Sequence, residues 1–106
     1  GPGSPSVLSN MVPTIEQHVN WIAACIGYLK ENKLSTIEAN LDAENNWVTA
    51  VNEVADQTLY PGCNSWYLGA NVPGKPRVFM PYIGVPTYVE KCEQVVANGY
   101  QGFTLA

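Results

Sequence analysis

Few side chains in this 106-residue sequence could do chemistry, and none forms a catalytic set. His18 is the single histidine. It cannot anchor a metal cluster, and no Ser-His-Asp order can be assembled around it. Cys25, Cys63 and Cys92 are odd in number and lack Cys-x-x-Cys spacing. Buried free thiols in a reducing compartment are expected, not disulfides or structural zinc. Glu38, Asp42, Glu44, Glu53, Glu90 and Glu93 read as solvated helix faces, none paired for acid–base work. Two features do point to a ligand. A turn-rich stretch around Ser6–Thr14 enters a helix, whose N-terminal N–H groups and positive dipole end attract phosphate or an electron-rich carbonyl. The second is a loop over residues 61–81 that carries Trp66, Tyr67, Lys75 and Arg77 and could contact an anion. A solvated loop over a helical pair is the plainer alternative.

The elements that must position these residues are legible from periodicity. Residues 1–13 form an irregular segment of turn formers. A helix follows, with Thr14 as its expected cap and Gln17 as a capping-box partner. Ile15, Val19, Ile22, Ile26 and Leu29 recur at helical spacing as one apolar stripe, and Lys30 and Lys33 suit its C-terminal end. A second helix is expected from about Leu41 to Leu59, capped by Asn40. Its buried face would be Ala43, Trp47, Ala50, Val51, Val54 and Thr58. The link Asn32–Ala39 is short, so residues 14–60 are expected to pack as an antiparallel helical pair. Periodicity then fails from Pro61 to Pro81, a length typical of lids and binding loops, with Arg77-Val-Phe-Met as a candidate short strand. A third helix is expected over about Pro86 to Asn98, using Tyr88, Cys92, Val95 and Val96, and Gly99 suits the left-handed residue after it. Residues 100–105 read as a final strand.

Composition bounds the rest. Hydrophobic residues make up 46% and charged residues 13%, about half the charge of an ordinary soluble domain. That excludes a disordered tail and implies that much of the surface is covered by more protein. A net charge of −4 argues against nucleic acid as a partner. The apolar runs are too short to span a membrane, and no basic start precedes an apolar stretch, so a cytoplasmic chain without a secretory signal is expected.

Five stretches, in this order, resemble the C-terminal segment of type I Baeyer–Villiger monooxygenases, the cyclohexanone and phenylacetone monooxygenase group. They are Gly1-Pro-Gly-Ser-Pro-Ser-Val-Leu-Ser-Asn-Met11, Ile15-Glu-Gln-His-Val-Asn-Trp21, Trp47-Val-x-x-Val-Asn-Glu-Val-Ala-Asp56, Ser65-Trp-Tyr-Leu-Gly-Ala-Asn-Val-Pro-Gly-Lys-Pro-Arg77 and Asn98-Gly-Tyr-Gln-Gly-Phe103. The fourth is the most specific, and the match covers essentially the whole chain. The resemblance also implies that the initial Gly-Pro-Gly-Ser is native.

The fold class implied is α/β: the C-terminal, mostly helical part of the FAD-binding domain of a flavoprotein with two dinucleotide-binding domains, with a long lid loop. The chemistry implied uses FAD and NADPH. NADPH reduces the flavin, oxygen adds to give a flavin peroxide, and one oxygen of O2 is inserted beside a ketone carbonyl to give an ester or lactone. By resemblance Ser6, Val7 and Leu8 line the substrate pocket, Met11 lies against the flavin, and Trp66 belongs to a mobile cofactor loop that folds over the nicotinamide. Lys75 and Arg77 are candidates for phosphate contact or for anchoring that loop by salt bridges. Glu16 and His18 match the family motif and read as structural. No Gly-x-Gly-x-x-Gly occurs, and the family's histidine fingerprint and active-site arginine are absent. The chain alone is therefore expected to be inactive, with both cofactors, the ketone and O2 bound only together with the remainder of the flavoprotein. A non-catalytic interaction module on a separate flavoprotein is the rival expectation. The run Tyr82-Ile-Gly-Val-Pro-Thr-Tyr88 has one glycine where the family has a pair, and is one residue short, so the third helix is expected to start differently.

Overall fold

The computed structural model describes residues 3–5 and 8–106. Three helices, α1 (Met11–Glu31), α2 (Leu41–Asp56) and α3 (Val85–Ala97), carry most of the structure. Two three-residue strands, β1 (Ile37–Ala39) and β2 (Phe103–Leu105), form a small antiparallel sheet, and two single 3₁₀ turns, Tyr60–Gly62 and Trp66–Leu68, lie between α2 and α3.

Helix α1 begins before the expected cap. Asn10 Oδ1 accepts from the Val12 amide at 3.1 Å, so Asn10 is the N-cap. Thr14 falls in the first turn, buried, where its hydroxyl donates to Asn10 O at 3.0 Å. At the other end Leu34 N donates to Leu29 O and Lys33 N to Lys30 O, a Schellman closure with Lys33 in left-handed backbone at φ 56°. The second helix follows expectation more closely: Asn40 Oδ1 caps Ala43 N at 2.9 Å, and Val51 and Ala55 are its buried residues. It ends at Asp56, three residues early. Thr58 and Gln57 then bond back to the last turn.

The two helices do not form the expected antiparallel pair. The close helical neighbour of α1 is α3. The link 32–39 is committed elsewhere: β1 pairs with the chain's last residues, Ile37 opposite Leu105 and Ala39 opposite Phe103, and Ser35 and Thr36 both donate to Ala106 O. A strand pairing that closes a distant segment outweighs a short helix–helix connection.

Helix α1 also buries a different face from its most aliphatic one. His18, Trp21, Cys25 and Tyr28 turn inward at offsets of three, four and three. His18 meets the edge of Tyr88, Trp21 Nε1 donates to Cys92 O at 3.2 Å, and Tyr28 packs on the buried Tyr100. The aliphatic stripe faces outward, with Ile15, Val19, Ile22 and Ile26 between 47% and 58% exposed.

The core sits between α2 and the irregular segment after it. Val51 and Ala55 pack against Leu68, Phe79 and Tyr82, with Trp47, Tyr60 and Tyr67 around them. Residues 77–80 do not form the expected strand, yet the segment is tied down. Phe79 N donates to Asn52 Oδ1 at 3.0 Å, Val78 N to Leu68 O, and Met80 N to Tyr67 O. Phe79→Ala is expected to destabilise this unit by about 3–5 kcal/mol through cavity formation. The unfolding midpoint and amide exchange over residues 67–80 check it. An unchanged exchange rate there would remove Phe79 as the loop's anchor.

Helix α3 starts at Val85, one residue before the expected Pro86. Gly84 precedes it at φ 102°, backbone that residues with a side chain rarely adopt, and a Cβ there would crowd Thr87 Oγ1 at 3.0 Å, which favours glycine. Of the face expected for α3, Tyr88, Cys92 and Val95 are partly buried and Val96 is exposed. Among the described residues no helix is long and apolar enough to cross a membrane.

The molecule is open for its size. Its radius of gyration is 15.4 Å, where a compact domain of this length has about 13 Å. Its accessible surface is 7176 Å², against roughly 5,800 Å² for a folded monomer of this mass.

Candidate functional site

The loop after α2 builds a platform under Trp66. Ser65 caps the second 3₁₀ turn, its Oγ accepting from Tyr67 N at 3.2 Å. That turn sets the Trp66 ring on Tyr67, with centroids 4.2 Å apart and planes 30° apart. Tyr67 in turn meets Tyr60 edge-on at 5.8 Å and lies beside the buried Phe79. One face of the indole is thus held by a ring rooted in the core, while Trp66 is 57% exposed. Among the described residues its N–H finds no partner.

The two cations of the loop do different things. Arg77 is engaged by neutral oxygens: its Nη2 donates to Cys63 O and its Nη1 to Asn64 Oδ1 at 3.3 Å. Lys75 lays its methylenes over the turn at Gly69, where a Cβ would come 3.2 Å from Lys75 Cδ. The loop is tied to itself by these contacts, without a salt bridge at Arg77 among the described residues.

The N-terminal segment lies nearby in part. Ser6 and Val7, expected in a substrate pocket, lie outside the described residues. Ser4 and Pro5 are buried, and a Cβ at Gly3 would lie 3.4 Å from Trp47 Nε1 and 3.9 Å from Met80 O. The segment therefore runs against α2 and the exit of the loop. Leu8 follows in a turn and Met11 opens α1, and both are exposed.

A third feature was missed by sequence reasoning. A cleft of about 530 Å³ opens between α1, α2 and α3, walled by His18, Trp21, Trp47, Tyr88, Cys92 and Phe103. Its signal was present as the inward stripe of α1, where aromatic bodies with polar tips recur at helical spacing. The cleft is not an acid–base site. Burial holds the His18 imidazole below its ordinary pKa, and burial pushes Tyr88 and Cys92 up. All three stay uncharged at neutral pH. Gln17 Oε1 and His18 Nε2 are buried without a hydrogen-bond partner. Cys63, against expectation, is exposed, because the loop carries it on the rim instead of into the core. Among the described residues no three metal-ligating side chains come together.

No family model matches the chain. Acetone monooxygenase (methyl acetate-forming) from Gordonia sp. strain TY-5 is 39% identical over 107 aligned residues, which cover 99% of this chain and 20% of that protein. Solved structures agree. Oxidized steroid monooxygenase bound to NADP superposes with a TM-score of 0.88 at 42% identity, over 99% of this chain and 19% of that one. A complex of OTEMO with FAD and NADP superposes with a TM-score of 0.72 at 32% identity, over 84% and 16%.

The chain is homologous to one segment of the type I Baeyer–Villiger monooxygenases.

It spans about one fifth of the length of the relatives it matches. The chain is mostly helical, with one small sheet, and the proteins it resembles are flavoprotein monooxygenases with NADP-bound structures among them.

Proposed function

We propose that this chain is the C-terminal part of the FAD-binding domain of a cytoplasmic Baeyer–Villiger monooxygenase, supplying a wall of the ketone pocket and the lid over the nicotinamide cofactor. The whole enzyme inserts one oxygen of O2 beside a ketone carbonyl to give an ester or lactone. The observation that carries this is Trp66. In a chain aligned almost end to end with an NADP-bound monooxygenase, a tryptophan stands on a rooted aromatic platform with a free face and a free N–H.

The residues present fit the cofactors named. A free indole face suits a flat heteroaromatic ring, and its N–H suits a ribose hydroxyl. Met11, exposed where α1 opens, suits the apolar side of a flavin. When bound, FAD and NADPH supply the redox chemistry, and this chain's part is to bind, orient and exclude water. Leu8, with Ser6 and Val7, would border the ketone. Arg77 is spent on its own loop, which leaves Lys75 as the freer candidate for a phosphate.

The excess surface and the exposed aliphatic face of α1 support a role that depends on a larger body. Reconstitution tests this. The 106-residue chain alone is expected to show no flavin absorbance band, and ketone oxidation is expected only after mixing with the missing four-fifths of the protein. A flavin band from the chain alone would overturn the reading. Binding to the larger part without restored oxidation would favour the non-catalytic interaction module.

A further inference from the structure

We infer that Arg77 is the residue that positions Trp66, by clasping the two ends of the loop that presents it. The inference rests on the reading of Trp66 as a cofactor lid. Arg77 lies fourteen residues after Cys63, yet its guanidinium donates to the Cys63 carbonyl and to the neighbouring Asn64 side chain. Between those ends the chain makes the Ser65-capped turn, places Trp66 on Tyr67 and returns through Gly69. The far end is rooted as well, because Val78, Phe79 and Met80 bond to Leu68 O, Asn52 Oδ1 and Tyr67 O.

Trp66 is thus held from both sides. Tyr67 fixes the plane of its ring from below, and Arg77 fixes the backbone immediately before it. Without the clasp, the bonds left at residues 63–65 are local ones, Cys63 N to Tyr60 O, the Ser65 cap on Tyr67 N, and Leu68 N and Ala70 N to Ser65 O, and none of them ties the start of the loop to its return at residue 77. A planar fork with several N–H donors is suited to two acceptors at once, which a single ammonium is not. Both acceptors are neutral oxygens, so Arg77 serves here by geometry and not by pairing charge. Its own side chain is exposed, and so are its two partners, Cys63 and Asn64, so its loss leaves the core of Val51, Phe79 and Tyr82 intact.

The test uses the full-length flavoprotein carrying this segment. Arg77→Met is expected to raise the KM for NADPH roughly three- to tenfold, the net worth of about one ordinary hydrogen bond, since the site is open to solvent. More NADPH should be oxidised without ester formation, and amides 64–69 should exchange faster, while flavin content stays normal. Arg77→Lys keeps the charge without the fork and is expected to recover only part of the loss. Full recovery by lysine would assign Arg77 to plain charge, such as a cofactor phosphate, and overturn the clasp. In a Trp66→Ala background Arg77→Met is expected to add nothing to the KM, since the positioned group is gone. An additive loss would make Arg77 a general brace and overturn the inference as well. If Trp66→Ala itself leaves KM and coupling unchanged, the lid reading fails. Exchange at amides 64–69 then still judges the clasp alone, and unchanged exchange in Arg77→Met would overturn it.

Discussion

Trp66→Ala in the full-length enzyme is expected to weaken NADPH binding or slow ketone oxidation about ten- to seventyfold, with flavin content near normal. The size follows from what the indole offers. Among the described residues one ring face and one N–H of the indole are uncommitted. A stacked aromatic contact is worth about 0.5–1.5 kcal/mol and a hydrogen bond about 1 kcal/mol, together close to this range. Folding should hardly notice, because Trp66 is mostly exposed and its neighbour Tyr67 is held independently by Tyr60 and Phe79. Steady-state kinetics with NADPH and ketone varied separately, beside the flavin spectrum, read the outcome. Unchanged kinetics on both counts would sink the lid assignment. Lost flavin would mean instead that the loop braces the whole domain.

The aliphatic face of α1 should give a larger effect of another kind. Val19→Glu is expected to abolish recovery of soluble, flavin-loaded enzyme. Val19 sits mid-stripe between Ile15 and Ile22, all of them exposed in the isolated segment. A helix apolar on nearly every side is normally buried on every side. If the larger body covers this face, burying valine contributes about 1.5 kcal/mol or more, and a carboxylate there costs considerably more than that is worth. Asn45→Glu, on the exposed side of α2, is the matched control and should be silent. Yield and bound flavin per mole of protein are the readouts. A Val19→Glu enzyme with full flavin content would show the stripe to be solvent-facing in the intact protein.

Local signals in the sequence carried far. Asn40, followed by an acidic first turn, set the start of α2. Gly99 closes α3 in the left-handed conformation at φ 65°, with Tyr100 N returning to Val95 O. Such caps depend on residues within one turn, so sequence reads them well. The start of α1 shows the limit. Asn10 and Thr14 are both competent caps, and the choice went to Asn10 because Thr14 could satisfy its hydroxyl within the helix and be buried. Strand β1 had no local signal of its own. Its three residues are strand only because the chain's end comes to pair with them.

The sequence by itself determined the number of helices, their approximate ends, the position of the aromatic loop and the kinship of the whole chain. Each of these rests on spacing along the chain or on residues within a few positions of one another. Only the tertiary structure decided which face of α1 turns inward, that α1 packs on α3 and not on α2, and that Arg77 grips its own loop. Those choices compare surfaces distant in sequence. Trp21 won the interior because its N–H reaches Cys92 O on α3, and His18 and Tyr28 turn in with it because their rings pack on Tyr88 and Tyr100. Ile15, Val19 and Ile22, with no polar groups to satisfy, stay on the outer face of the helix.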